Sequence, residues 1–119
     1  MNRKFRLTRS TDFKRVRRMG KSYANPLLVL VTYSNLENEK FRVGIAAGKS
    51  VGNAVHRNRA KRQIRSAIQL LSSDINPGWD LVVLARNPIN EAEFAEILQS
   101  LENLLKKAGI MQEKRVPNE

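Results

Sequence analysis

Residues 49–68, KSVGNAVHRNRAKRQIRSAI, constrain the fold more than any other stretch of the chain. At about 100° per residue, Ala60, Ile64, Ala67, Ile68 and Leu71 share one arc of about 100°. Arg57, Asn58, Lys61, Arg62 and Arg65 occupy a second arc of about 140°. The pattern predicts a helix from about Ala54 to Ser72, capped by Asn53, with one face on a core and the other cationic. No carboxylate falls within residues 49–68. A solvated helix face usually mixes signs, because pairs at i,i+4 relieve repulsion. Here the repulsion is unrelieved, and an external polyanion would relieve it.

The flanking pattern sets the rest of the fold. Ser10 or Thr11 can cap a first helix running to Met19 and ended by Gly20, with Phe13 and Val16 one turn apart. Leu27–Tyr33 is a β-branched apolar run and predicts a strand, and Phe41–Ala47 is expected as a second, central strand. A short strand fits Lys21–Ala24. Asn76-Pro77-Gly78 marks a turn. Asp80–Ala85 predicts a strand that is apolar on both faces and therefore internal. A last helix is expected from Asn90, with Glu93 completing a capping box. Its core face carries Phe94, Ile97, Leu98, Leu101, Leu104 and Leu105, and Gly109 stops it. The order α-β-β-β-α-β-α predicts an α+β two-layer sandwich, a sheet of about four strands with three helices. The 119 residues make one domain. Residues 1–7 are expected as a basic arm and 109–119 as a flexible tail.

The charge is concentrated. The chain carries 22 Lys+Arg against 11 Asp+Glu, a net of +11. Residues 1–21 hold nine Lys+Arg and one acid, and residues 42–65 hold seven and none. Such blocks are the footprint of a polyanion-binding surface. There is no cysteine and a single histidine, His56. Disulfides, Cys-ligated zinc and thiol nucleophiles are excluded. No apolar run approaches a membrane span, no signal-peptide core follows the basic N-terminus, and the expected compartment is the cytoplasm. Gly48-Lys49-Ser50 is not a phosphate-binding P-loop, whose first glycine would fall at Val43. It can still bring Lys49 and Ser50 to a phosphate beside a helix N-terminus. His56 has no nearby carboxylate to orient it as a base and is expected on the helix surface. Trp79 is expected at the core or its rim.

At this point the chain resembles the protein subunit of bacterial ribonuclease P. The resemblance rests on GNAVHRNRAKRQIR (52–65), an Arg-Asn-Arg core followed by Lys-Arg and a further Arg. Arg6-Leu7, Asp12-Phe13-x-x-Val16, Gly20-Lys21, Arg42-Val43-Gly44 and Ala85-Arg86-x-Pro88 support it in order and spacing. It implies a protein that binds a large catalytic RNA and, with it, removes the 5′ leader of precursor tRNA. The RNA performs the chemistry; no catalytic residue is expected of the protein. It implies Mg²⁺ bound mainly by the RNA and none by the protein alone. The implied partners are ribonuclease P RNA and precursor tRNA, with no membrane and no obligate protein partner. The implied contacts with the catalytic RNA are Lys49, Ser50, Asn53, Arg57, Asn58, Arg59, Lys61, Arg62 and Arg65. The implied leader cleft is lined by Phe13, Arg17, Val29, Val31 and Arg86, with Phe13 as the clear stacking residue. The resemblance also implies a left-handed crossover around the central helix, against the usual right-handed rule. The alternative is a ribosomal or general RNA-binding protein with no role in tRNA processing.

Overall fold

The computed structural model describes residues 5–111. Seven regular elements follow in order: α1 (Ser10–Met19), β1 (Lys21–Ala24), β2 (Leu28–Ser34), β3 (Phe41–Ala47), α2 (Ala54–Leu71), β4 (Trp79–Ala85) and α3 (Phe94–Lys107). The sheet order is β1-β2-β4-β3. β1, β2 and β4 run antiparallel, whereas β3 and β4 are parallel and joined through α2. The apolar run of β4 has its cause in this order: it lies between β2 and β3.

Alternation along the strands builds two cores. Leu28, Leu30, Phe41, Val43, Ala47, Leu81, Val83 and Ala85 face α2 and α3. The buried residues of α2 are Ala60, Ile64, Ala67, Ile68 and Leu71, the arc expected from the sequence. α3 adds Ile97, Leu101, Leu104 and Leu105, each worth about 1.5–3 kcal/mol of apolar burial. Val31 and Val82 point to the other face, where they meet Leu7 and Val16. The expected α+β fold of four strands and three helices is therefore present, with two corrections. α1 packs on the sheet face opposite α2 and α3, so the helices do not form a single second layer. β3, expected as a central strand, lies at the sheet edge because α2 returns the chain to a parallel β4 placed between β2 and β3.

Local expectations are corrected at four places. Arg9, not Ser10 or Thr11, is the N-cap of α1, and no side chain caps it. The last helix does not begin at Asn90. Asn87–Glu91 forms a 3₁₀ turn with Pro88 near its start, and within it the Asn90 side-chain amide donates to the carbonyl of Val51. Glu93 is the N-cap of α3 and its N–H donates to Glu96 Oε1 at 3.3 Å. The expected basic arm and flexible tail do not hold at Leu7 and at Ile110 and Met111. Leu7 is buried and donates its N–H to Val43 O at 2.9 Å. Ile110 and Met111 are buried, with Met111 bridged to Ile75. Residues 1–4 and 112–119 of those two expectations lie outside the described residues.

Candidate nucleic-acid interface

The cationic face starts at a tight turn. Lys49–Val51 forms a single 3₁₀ turn closed by Gly52 at φ 128°, a backbone conformation that suits glycine. Asn53 then caps α2: its Oδ1 accepts the His56 N–H at 3.1 Å and lies 2.9 Å from His56 Nδ1. Lys49, Ser50, Asn53, Asn58, Arg59 and Arg62 are exposed; Arg57, Lys61 and Arg65 are half-buried. Among the described residues, no ion pair takes up Arg57, Arg59, Lys61, Arg62 or Arg65. Arg65 Nε is buried without a hydrogen-bond partner there. Arg57 differs from the others. Its Nε donates to Ala47 O at 2.9 Å, so it straddles the boundary between the two helix faces and is part anchor, part surface.

The second expected surface, the leader cleft, would lie beside α1. The helix crosses the sheet over the row Val31, Val82 and Gly44, which are in register. Phe13 lies over Gly44, where a Cβ would come within 2.8 Å of its ring. The next row, Val29, Leu84 and Ala46, is only half-buried and forms an apolar floor alongside the helix. At 100° per residue Phe13 and Arg17 lie on the same side of α1. Phe13 is half-buried and Arg17 exposed. The floor ends at Ala46, one residue before the carbonyl held by Arg57. The first turns of α2 therefore adjoin the end of that row through the Arg57–Ala47 bond.

The comparisons with known proteins agree over most of the chain. Residues 1–109 match the family model described as Ribonuclease P. The chain belongs to the ribonuclease P protein family. It is 40% identical over 114 residues to the ribonuclease P protein component of Listeria innocua, covering 96% of each chain. It is 44% identical over 111 residues to that of Clostridium novyi, covering 92% of this chain and 98% of the other. The Staphylococcus aureus RNase P protein superposes with a TM-score of 0.82 at 38% identity, over 91% of this chain and 98% of that one. The Thermotoga maritima RNase P protein, solved with 1-(4-fluorophenyl)-2-thiourea, gives 0.77 at 31% identity over 86% and 98%. The chain is thus a protein subunit of ribonuclease P, an endoribonuclease whose catalytic component is RNA. The ribosomal alternative finds no support in these matches.

Within this family fold, the predicted site residues separate by exposure. Val31 is corrected: at 3% exposure it packs beneath Val16 of α1 and cannot line a surface. Val16 is core. Arg86 is exposed, but one arm is committed, Nη1 donating to Asn25 O at 2.8 Å. Trp79 is half-buried against the main core. Sequence reasoning missed Leu84 and Ala46, which become visible once the register places them beside Val29. It also missed Asp80, buried at 2% exposure. Arg42 grips this carboxylate through Nε–Oδ1 at 2.9 Å and Nη2–Oδ2 at 3.0 Å, and the amides of Asn35 and Asn38 add two donors. Burial pushes the Asp80 carboxyl up, but the hydrogen bonds and charge of Arg42, with the two amides, outweigh it and hold it below its usual value. The same pair raises Arg42 above the ordinary guanidinium value. Among the described residues, no three His, Asp or Glu side chains are grouped to hold a metal ion. No helix there is long and apolar enough to cross a membrane.

Proposed function

We propose that α2 docks on the catalytic RNA while the cleft beside α1 holds the single-stranded 5′ leader of precursor tRNA. The observation that carries this is the adjacency of two unlike surfaces. One is an acid-free cationic face; the other is an apolar floor with one aromatic ring. Unpaired guanidinium groups suit phosphates, which they meet bidentately. Arg59, Lys61, Arg62 and Arg65, with Asn58 between them, provide that face, and Lys49 and Ser50 extend it past the Asn53 cap. Arg57 joins it to the cleft. A floor of Val29, Leu84 and Ala46 beside Phe13, with Arg17 and Arg86 at its rim, holds a strand by stacking and charge with little base readout. This suits a subunit that must accept many leaders.

The protein supplies charge and position, and the RNA supplies the chemistry. Mg²⁺ belongs in this reading to the RNA, where phosphates provide hard oxygen ligands. Cationic side chains on those phosphates replace part of the ion atmosphere. Reconstitution tests the proposal. Adding the protein to ribonuclease P RNA is expected to restore leader removal at Mg²⁺ concentrations where the RNA alone is slow. An unchanged Mg²⁺ requirement, or cleavage by protein without RNA, overturns it.

A further inference from the structure

We infer that Asp12 is a positioning residue, which sets the opening of the cleft from the far side of α1 without touching the leader. The inference rests on the cleft reading above. Asp12 is the single acid among the nine Lys+Arg of residues 1–21. Facing RNA, a carboxylate there is an electrostatic liability, and its placement resolves the conflict. On a helix, Asp12 points about 100° away from Phe13. Its side chain is only 15% exposed, on the flank opposite the floor.

There it meets a rigid post. Arg42 Nη1 lies 3.8 Å from Asp12 Oδ2. Arg42 is itself locked to buried Asp80 by two hydrogen bonds, and Asp80 is clamped by Asn35 and Asn38 from the loop between β2 and β3. The chain Asp80–Arg42–Asp12 therefore links β4, β3 and the first turn of α1. Three rows of the sheet explain its leverage. Tyr33, Asp80 and Arg42 form the row on the bracket side; Val31, Val82 and Gly44 lie under the helix; Val29, Leu84 and Ala46 form the floor. On the bracket flank α1 is held to the sheet by Asp12–Arg42, with Arg15 of the same helix 3.6 Å from the other carboxylate oxygen. Val16 provides a central apolar pivot. Slack in the bracket then becomes tilt about Val16, which shifts Phe13 and Arg17 relative to the floor. A misplacement of about 1 Å is enough to weaken a positioned contact severalfold.

Simple electrostatics gives the opposite sign, so the test is decisive. Removing an acid adds +1 to a cationic protein and should tighten every RNA contact. The positioning role predicts weaker leader capture instead. The measurement is the affinity of the reconstituted holoenzyme for precursor tRNA and for the same tRNA without its leader. Asp12→Asn is expected to lower the precursor-to-mature affinity ratio about three- to tenfold and to leave mature-tRNA affinity unchanged or slightly tighter. Phe13→Ala, measured alongside, reports on the cleft itself. An unchanged ratio in Phe13→Ala overturns the cleft reading and this inference with it. A lowered ratio in Phe13→Ala with a wild-type ratio in Asp12→Asn overturns this inference alone. Equal weakening toward both tRNAs, with a lowered melting temperature, makes Asp12 merely structural and also overturns it. Should Asp12→Asn not fold, Asp12→Glu decides, since it keeps the charge and moves the carboxylate by one methylene. A lowered ratio supports the inference and a wild-type ratio overturns it.

Discussion

The ring of Phe13 rests on the bare backbone of Gly44, so closely that a Cβ at residue 44 would lie 2.8 Å from ring atoms Cδ2 and Cε2. Gly44 is needed for that approach, since any side chain would lift the ring. Gly44→Ala is therefore expected to displace Phe13 and cost about 1–3 kcal/mol of overpacking. In the holoenzyme it should lower affinity for precursor tRNA about as much as Phe13→Ala does, while affinity for the catalytic RNA changes by less than about threefold. Titration of both RNAs with the two variants checks this. Equal losses for both RNAs would place Phe13 in the core alone.

The Arg42–Asp80 pair predicts the acid limb of the stability curve. The carboxyl of Asp80 is held below its usual value in the folded chain, so the unfolded chain takes up the proton first as pH falls. The stabilisation is complete above the unfolded value, about 3.9, and is lost as pH drops through the lower folded one. Denaturant midpoints measured from about pH 6 to 2 should fall steeply below about pH 4. Asp80→Asn should flatten that fall. It should also cost about 3 kcal/mol at neutral pH, because Arg42 loses its buried counter-charge. A variant as acid-sensitive as the wild type would show that other carboxyls control the limb.

Much of this was legible in the residues, and the parts that were not have physical reasons. The helical period alone picked out the five buried positions of α2, because a core-facing stripe leaves its spacing in the sequence. The same arithmetic put Arg57 with the cationic residues, although at 100° per residue its direction falls inside the edge of the apolar arc. Only the bond to Ala47 O reveals its double role. Asp80 looked like the polar start of an apolar strand. Its burial depends on Arg42 and Asn38, about forty residues away in sequence, which no local pattern records. Asn90 has the chemistry of a cap but lies inside the 3₁₀ turn Asn87–Glu91, and the cap falls to Glu93, whose box with Glu96 is an equally good local signal. Val31 alternates correctly to the cleft face, yet α1 lies on top of it. Which row of a sheet face a helix covers is a tertiary fact.

Arg57 and Arg62 separate the two roles of the α2 face. Arg62 is exposed and unpaired among the described residues, so Arg62→Ala should remove one phosphate contact. The slope of log K against log salt for the catalytic RNA should then drop by about 0.7–0.9, with no change in melting temperature. Arg57→Ala should lower the slope similarly and also destabilise the protein by about 1 kcal/mol, because the bond to Ala47 O is lost. Salt titrations and thermal melts of the two variants check the difference. An unchanged slope in Arg62→Ala would remove that residue from the RNA contact.

Residues 110 and 111, just after α3, make the last prediction, because they belong to the stretch expected to be loose and are buried. Gly109 turns the chain, and Ile110 then enters the core with no exposed surface. Its carbonyl accepts the Asn76 N–H at 2.8 Å, and its own N–H reaches Leu105 O at 3.1 Å. Met111 pairs with Ile75. This short seam closes the main core at the end of α2, where the chain turns toward β4. Ile110→Ala should therefore cost about 2–5 kcal/mol, the range for emptying a well-packed site. It lies on the sheet face opposite the cleft, so the RNA-binding parameters of the folded protein should be unchanged. Denaturant unfolding and leader-dependent affinity, measured on the same variant, check both halves. A loss under about 0.5 kcal/mol, the level of an ordinary surface change, would show that the seam contributes nothing to the fold.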